Sequence, residues 1–406
     1  MRKIDTRNFR RATRSTSRQI NRQIALNLVR EHQPISRADL ARRMDIGRGV
    51  VTSLVNQLID EGVVYEGASG PARRGRRPKM LWVRTRDRLV VAVDVRFSRT
   101  YVMLSDFSGT QLALETFETI VEPAPLAAEL VQRVSRLLDA HGARGRCEGV
   151  GLVVPGMVDP RTGLVLNAPQ LGWRDVDLRG PVAAGLGLPV SIENAPLACA
   201  LAHMWLDQRG DGPSGDFVYM TVSDGVGAGL VLNGRLVRGH SNSAGEFGHI
   251  PIDQDGPQCL CGARGCLEAY TSNLATLSRY LGRELSPTGT RALLHDVPLT
   301  IQDLVARARS GDQRAAQSIE ETGHYLGLGL ASIINAINPA QILVGGEITA
   351  AWDRIAPMIR AAVASRALTP AAAATPIIPE QVGGYPRLRG ATALVAAPIF
   401  AAPEVA

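Results

Sequence analysis

Lysine is almost missing from this chain. Lys3 and Lys79 are the two lysines among 45 Lys+Arg, so the cationic chemistry falls to arginine. Aromatic residues are also scarce, at 4%. The hydrophobic fraction still reaches 45%, carried by Ala, Val, Leu and Ile, which excludes a disordered composition. No apolar run approaches the roughly 18 residues of a membrane span, the longest lying near Leu89–Val93 and Ala391–Ala402. The Arg-studded stretch Met1–Arg22 lacks the apolar core of a secretory signal. Membrane, secreted and fibrous classes are thereby excluded, and a cytoplasmic protein without a membrane partner is the expectation. At 406 residues the chain has room for about two or three domains.

The net charge of +7 conceals an asymmetry. Residues 1–88 hold 21 Lys+Arg against 8 Asp+Glu, a net of +13, and the remaining 318 residues carry a net of −6. A basic head on a mildly acidic body points to a head that meets a polyanion. Cysteines are few: Cys147, Cys199, Cys259, Cys261 and Cys266. Three fall within eight residues, which in a cytosolic chain points to metal rather than to disulfides.

In the head, Ile20, Ile24, Leu28 and Val29 recur at helical spacing. Ser36 is placed to cap a short second helix through Leu40 and Met44. The turn Asp45-Ile46-Gly47 leads to a third helix with the stripe Val50/Val51, Leu54/Val55, Leu58 and Ile59, stopping at Gly62. Strand-like Val63–Glu66 and Lys79–Val83 flank a Gly/Pro-rich turn holding Arg73, Arg74, Arg76 and Arg77. This pattern predicts a winged helix-turn-helix over 1–88 that binds double-stranded DNA. Arg48, Thr52, Ser53 and Asn56 lie off the apolar stripe and are expected to reach base edges. The four wing arginines are expected on phosphates or in a minor groove. The alternative is a solvated charged loop beside a protein-docking module.

The body alternates strands and helices: a buried strand Leu89–Asp94, strands at 100–105 and 110–118, a helix over 125–141, and strands at 149–154 and 190–193. A second set follows at 217–222, 228–232 and 235–238 and ends in a strand entering the glycine turn Gly345-Gly346. Two α/β lobes with a cleft between them is the economical architecture. In order along the chain stand Gly151-Leu152-Val153-Val154-Pro155-Gly156, Asn167-Ala168-Pro169, Glu193-Asn194, Ser243–His249 with its Glu246-Phe247-Gly248-His249, and Cys259-Leu260-Cys261-Gly262 running to Glu268. These motifs resemble the ROK family (repressors, open reading frames, kinases), of the repressor type that answers to sugars such as xylose or N-acetylglucosamine. The resemblance spans essentially the whole chain. It implies an α/β, actin-like, two-lobed sugar-kinase fold behind the winged helix, with one lobe over 89–195, completed by a C-terminal helix at 388–406, and the other over 196–387.

His249, Cys259, Cys261 and Cys266 supply one imidazole and three thiolates, a closed tetrahedral set suited to a structural Zn²⁺. The resemblance implies sugar contacts from Asn167, Glu193, Asn194, Glu246, His249 and Glu268. His249 would ligate metal through one ring nitrogen and meet sugar with the other.

A kinase of this family carries an Asp directly after the Glu-Asn pair as general base, where this chain has Ala195. The family's Asp-x-Gly-Gly-Thr phosphate loop reads Asp94-Val95-Arg96-Phe97-Ser98 here, and its Gly-Thr-Gly loop reads Ser223-Asp224-Gly225-Val226-Gly227. Bulky Arg96 and Phe97, and a carboxylate at Asp224, oppose phosphate binding. The expectation is therefore no catalytic residue and no enzyme, but a repressor of sugar uptake or metabolism genes, acting as a homodimer or homotetramer on a palindromic operator. An ATP-dependent sugar kinase with an appended DNA-binding head is the alternative. A repressor relieved by a partner protein is a third reading, and the sign of regulation stays open.

Overall fold

The structure, a computed structural model, describes residues 13–69, 77–206, 215–283, 299–380 and 384–402. The wing positions Arg73, Arg74 and Arg76 lie outside the described residues.

The head is a winged helix. Helix α1 (Arg14–His32) is followed by β1 (Ile35–Ser36), α2 (Arg37–Met44) and α3 (Arg48–Asp60), then by β2 (Val64–Ser69) and β3 (Lys79–Val83). Ser36 caps α2 by accepting from the Asp39 N–H at 3.1 Å, as its position in the sequence implied. Asp45 closes α2 in the left-handed region, at φ 50°, and this sharp turn sets α3 across α1. The three strands pair antiparallel in the order β1-β3-β2. Two positions of the apolar stripes face outward: Ile24 is 43% and Val50 51% exposed. Ala25 and Leu26 join the expected Val29 of α1 in the core, against Val51, Leu54, Val55 and Leu58 of α3.

The body has two sheets. The first joins β4 (Leu89–Val95), β5 (Arg99–Asp106), β6 (Gln111–Glu118), β7 (Cys147–Val154) and β11 (Val190–Asn194) in the order β11-β7-β4-β5-β6. Helices α4 (Pro123–Ala140) and α5 (Arg179–Leu186) pack against each other beside it. A small sheet, β10-β9-β8 (Trp173–Asp177, Leu164–Ala168, Met157–Asp159), was not foreseen from the sequence. Every residue of β4 is buried, which explains its unbroken apolar run.

Helix α6 (Ala195–Leu206) crosses to the second sheet, built from β12 (Phe217–Val222), β13 (Val226–Leu232), β14 (Arg235–Val237), β15 (Gln341–Gly345) and β16 (Ile377–Pro379) in the order β14-β13-β12-β15-β16. Helices α7 (Leu267–Thr271), α8 (Asn273–Leu281), α9 (Ile301–Arg309), α10 (Gln313–Ile337) and α11 (Trp352–Arg366) belong to this lobe, as does the short α12 (Pro370–Ala373). The last described helix, α13 (Pro386–Phe400), returns to the first lobe and lies on β4 and β7 and along α6.

The α6–α13 seam is made of small residues. Gly390 leaves no room for a Cβ against the Ala198 backbone, and Gly151 of β7 leaves none against the Ala391 carbonyl. Backbones therefore touch where side chains would otherwise separate them.

The end of α13 enters the head. Phe400 is 5% exposed and belongs to the same cluster as Leu26 and Leu58. The final carbonyls of α13 are met by amides of α1: Gln23 Nε2 donates to Ile399 O at 2.8 Å and to Ala401 O at 2.6 Å, and Asn27 Nδ2 donates to Phe400 O at 2.8 Å. Arg30 stacks on Trp205 at the end of α6 and on Phe400, 4.8 and 4.9 Å from the ring centroids. Phe400→Ala is expected to destabilise the chain by about 3–5 kcal/mol, read from the urea midpoint at unchanged slope. A loss below about 1 kcal/mol would show that the ring is not part of the head's core.

Candidate functional site

The outer face of α3 presents Arg48, Thr52, Ser53 and Asn56, all exposed, together with Val50. Ser53 Oγ accepts from Arg18 Nη2 at 3.4 Å. Asn56 Oδ1 accepts from Arg37 Nη1 at 2.9 Å. Arg37, which the sequence did not single out, also pairs with Glu66 of the wing strand at 3.0 Å, so it ties α2, α3 and the wing together. Arg77 is exposed at the wing's end.

Between the lobes lies a cavity of about 800 Å³, including space open to solvent. Arg96, Phe97, Asn194 and Ala195 line it from the first lobe; the turn Ser223–Gly227, Glu246, His249 and Glu268 line it from the second. Asn167, on β9, and Glu193 lie outside that lining. Asn194 Oδ1 caps α6 by accepting from Leu197 N–H at 3.1 Å, fixing the side chain at the cavity wall. Glu193 is buried and occupied: Oε1 accepts the Asn194 N–H at 2.9 Å, and Oε2 pairs with Arg238 of the second lobe. Burial pushes the Glu193 carboxyl above its ordinary range, with Arg238 opposing. Burial likewise raises Glu246, which the neighbouring Glu268 reinforces and His249 opposes.

The loop over residues 249–268 gathers four soft donors. His249 Nδ1 lies 3.7 Å from Cys259 Sγ, and Cys261 Sγ lies 3.8 Å from Cys266 Sγ. All four donor atoms fall within 4.8 Å of one another. Donors held at about 2.3 Å around a tetrahedral centre are about 3.8 Å apart, so these spacings fit a metal ion and are longer than a disulfide bond. The His249 Nε2 faces the cavity, 3.8 Å from Glu246 Oε2. Glu268 joins the cluster to the cavity floor: Oε1 lies 3.7 Å from Cys259 Sγ while Oε2 accepts from Val226 N–H at 2.8 Å. Burial pushes the Cys266 thiol up to about 11, so a bound cation is what would hold these sulfurs as thiolates.

The profile of the ROK family matches residues 90–397, and that of the MarR family matches residues 17–75. The chain belongs to the ROK family. It is 31% identical over 370 residues to a putative xylose repressor of Caldicellulosiruptor sp., covering 86% of this chain and 88% of that one. A solved ROK family transcriptional regulator, a homolog of the E. coli Mlc protein, superposes with a TM-score of 0.78 at 27% identity, covering 95% of this chain and 97% of that one. A ROK family glucokinase from Streptomyces griseus, solved with glucose and AMPPNP, gives a TM-score of 0.63 at 27% identity over 75% of this chain and 98% of that one. The kinase matches over nearly its whole length while a quarter of this chain lies beyond the match.

The segments 94–98 and 223–227, expected from the sequence at the family's phosphate loops, make their contacts within the protein. Arg96 Nε donates to Asp94 Oδ2 at 2.6 Å and its Nη1 to Glu347 Oε1 at 2.8 Å. Asp94, fully buried, also pairs with Arg387 at 2.8 Å. Asp224 is pushed up by burial and by Glu347. Ala195 places a methyl at the cavity wall.

Arg238→Ala is expected to cost about 3 kcal/mol, because it strands the buried Glu193 carboxylate. The sign with pH follows from the raised carboxyl. In the variant the folded chain binds the Glu193 proton more tightly than the unfolded chain, so stability falls as pH rises through that window. The deficit relative to the parent should be larger at about pH 8 than at about pH 5 in urea titrations, and Glu193→Gln in the same background should recover part of it.

Proposed function

We propose that this ROK protein is a DNA-binding transcriptional repressor whose operator affinity is set by a sugar or sugar derivative in the interlobe cavity. The observation that carries this reading is the attachment of the basic winged helix to the body through Gln23, Asn27 and Arg30. A head held by bonds to the last helix of the body feels changes in lobe angle, which a head on a slack tether would not. The named repressor among the relatives supports the same reading. Operator contacts fall to Arg48, Thr52, Ser53 and Asn56, with Val50 available to a thymine methyl, and to the wing arginines Arg73, Arg74, Arg76 and Arg77. The protein acts in the cytoplasm as a symmetric dimer or tetramer on a palindromic site.

Asn194, Glu246, His249 and Glu268 hold the sugar hydroxyls, and the metal is a structural Zn²⁺ on His249, Cys259, Cys261 and Cys266. His249 would hold the metal through Nδ1, which would fix its tautomer and the loop and leave Nε2 to face the ligand. Asn167 and Glu193 act from behind, through the small sheet and the Arg238 pair. The chain does not phosphorylate its ligand, since Ala195 takes no proton and Arg96 occupies the phosphate side.

Fluorescence anisotropy on DNA from upstream of the protein's own gene, at fixed salt, tests the reading with a panel including xylose, N-acetylglucosamine and their phosphates. Specific binding released by one compound is expected. Hexose-dependent ATP consumption, or sequence-independent binding on every candidate operator, would overturn it. Arg48→Ala should cost about 1–3 kcal/mol on the operator and little on random DNA, whereas Arg76→Ala should weaken both alike. Elemental analysis should find one zinc per chain, and Cys261→Ser should lose it; full-strength sugar response in a zinc-free variant would remove the loop from the mechanism.

A further inference from the structure

The two lobes are pinned across the cleft by a buried ionic cluster that the DNA-binding and sugar-binding reading does not use. Asp94 is the penultimate residue of β4, with its side chain fully buried. Arg96, two residues on, turns back to that carboxylate and reaches over to Glu347, the first residue after the Gly345-Gly346 turn of the second lobe. Asn273 Nδ2, at the start of α8, donates to the other Glu347 oxygen at 2.9 Å. Burial alone would lower the Arg96 guanidinium, but Asp94 and Glu347 outweigh it and hold it well above its ordinary value. The cluster is thus strongly charged and poorly solvated, where removal of one member leaves another without compensation.

Its charges are divided between the lobes. The first contributes Asp94 with two guanidinium groups, Arg96 and Arg387, and the second contributes Glu347 beside Asp224. Separating the lobes takes Arg96 from Glu347 and leaves it Asp94, which it shares with Arg387. Closure therefore carries an electrostatic preference of its own, with no nucleotide present.

Arg387 connects this cluster to the far side of the molecule. Its Nε pairs with Asp94 Oδ1 at 2.8 Å, its Nη2 donates to Val95 O at 3.4 Å, and it stands in the first turn of α13. Thirteen residues later, about 20 Å along the axis, the same helix ends in the core of the head. Between those ends α13 is seated backbone to backbone on β7 and α6, so a displacement at Arg387 has little side-chain packing in which to dissipate.

We propose that Arg96 is a bolt across the cleft, joining Asp94 of one lobe to Glu347 of the other, and that Arg387, held by the same Asp94, transmits the state of the bolt through α13 to the DNA-binding head. Arg96 and Arg387 line the ligand cavity and are positioning residues: they act through Asp94 and the helix. The regulatory consequence rests on the repressor reading above, in which a ligand entering beside Arg96 would draw or seat the bolt.

Hydrogen exchange on the full chain, with neither DNA nor sugar present, tests the bolt independently of that reading. Glu347→Gln cuts the second-lobe end while keeping the shape of the side chain. It should raise exchange about tenfold in peptides from α1 and from 386–400 as well as at the cleft, since local opening is read as a fold-change in rate. Arg96→Ala should do the same, and Arg96→Lys, which keeps one charged contact, should fall between it and the parent. Faster exchange confined to 89–106 and 341–351, with α1 at the parental rate in Glu347→Gln, would overturn the proposal. If Arg96→Ala does not fold, Glu347→Gln and Arg96→Lys decide. The converse variant, Arg387→Ala, should loosen α1 while leaving the 341–351 segment as protected as in the parent; equal loosening of both would show that Arg387 is not the transmitting link.

Discussion

The contact on which the arrangement depends is the close approach of α6 to α13. Both helices are rich in alanine, and at Ala198/Gly390 and Gly151/Ala391 they and β7 meet with no side chain interposed. Such contacts have little freedom to repack, because a shift of a few tenths of an ångström brings backbone atoms into collision. One face of α6 packs with the first lobe and α13, through Ala195 and Ala198; the other lies on the second sheet, through Cys199 and Ala200. The helix starts at the cavity with Asn194 and Ala195 and finishes at Trp205 under the head. Cavity, lobe junction and head are thereby three stations on one closely packed pair of helices.

Around this apolar seam the charges sit at the cleft. Asp94, Glu193 and Glu268 are all buried, and each is compensated differently: Asp94 by two guanidinium groups, Glu193 by one from the opposite lobe, Glu268 by a backbone N–H beside the four-donor cluster. Buried ions of this kind add little net stability but penalise every arrangement in which they lose their partners. They define which lobe geometries the chain can adopt. The four-donor loop works in the same direction, since a metal there would anchor His249 and, through Glu268, the turn at Val226.

Much of this was legible in the residues. The winged helix could be read from the Ser36 cap, the left-handed turn at Asp45 and the stripe of α3; the first sheet from the unbroken apolar β4; the gathering of four His and Cys donors from the spacing of the cysteines. Local signals carry those features. What escaped was long-range pairing. Arg238 meets Glu193 across 45 residues and Asn27 meets Phe400 across 373, and nothing in either segment announces the other. Arg96 was read as an obstruction in a phosphate loop, and only the fold reveals that it bridges Asp94 to Glu347. The outward turn of Ile24 has the same origin. Helix α1 must offer Gln23, Asn27 and Arg30 to the body, and this rotates Ile24 away from the core.

The amides of Gln23 and Asn27 finish a helix that belongs to another domain. A helix end whose carbonyls are met by a neighbour's side chains leaves polar groups unpaired when that neighbour is removed. Head and body are therefore not interchangeable parts. An exchange of winged helices among proteins of this kind would have to carry α1 and the last turn of α13 together, and the natural border for such recombination runs through the tertiary contact rather than through the segment that links the two domains in sequence.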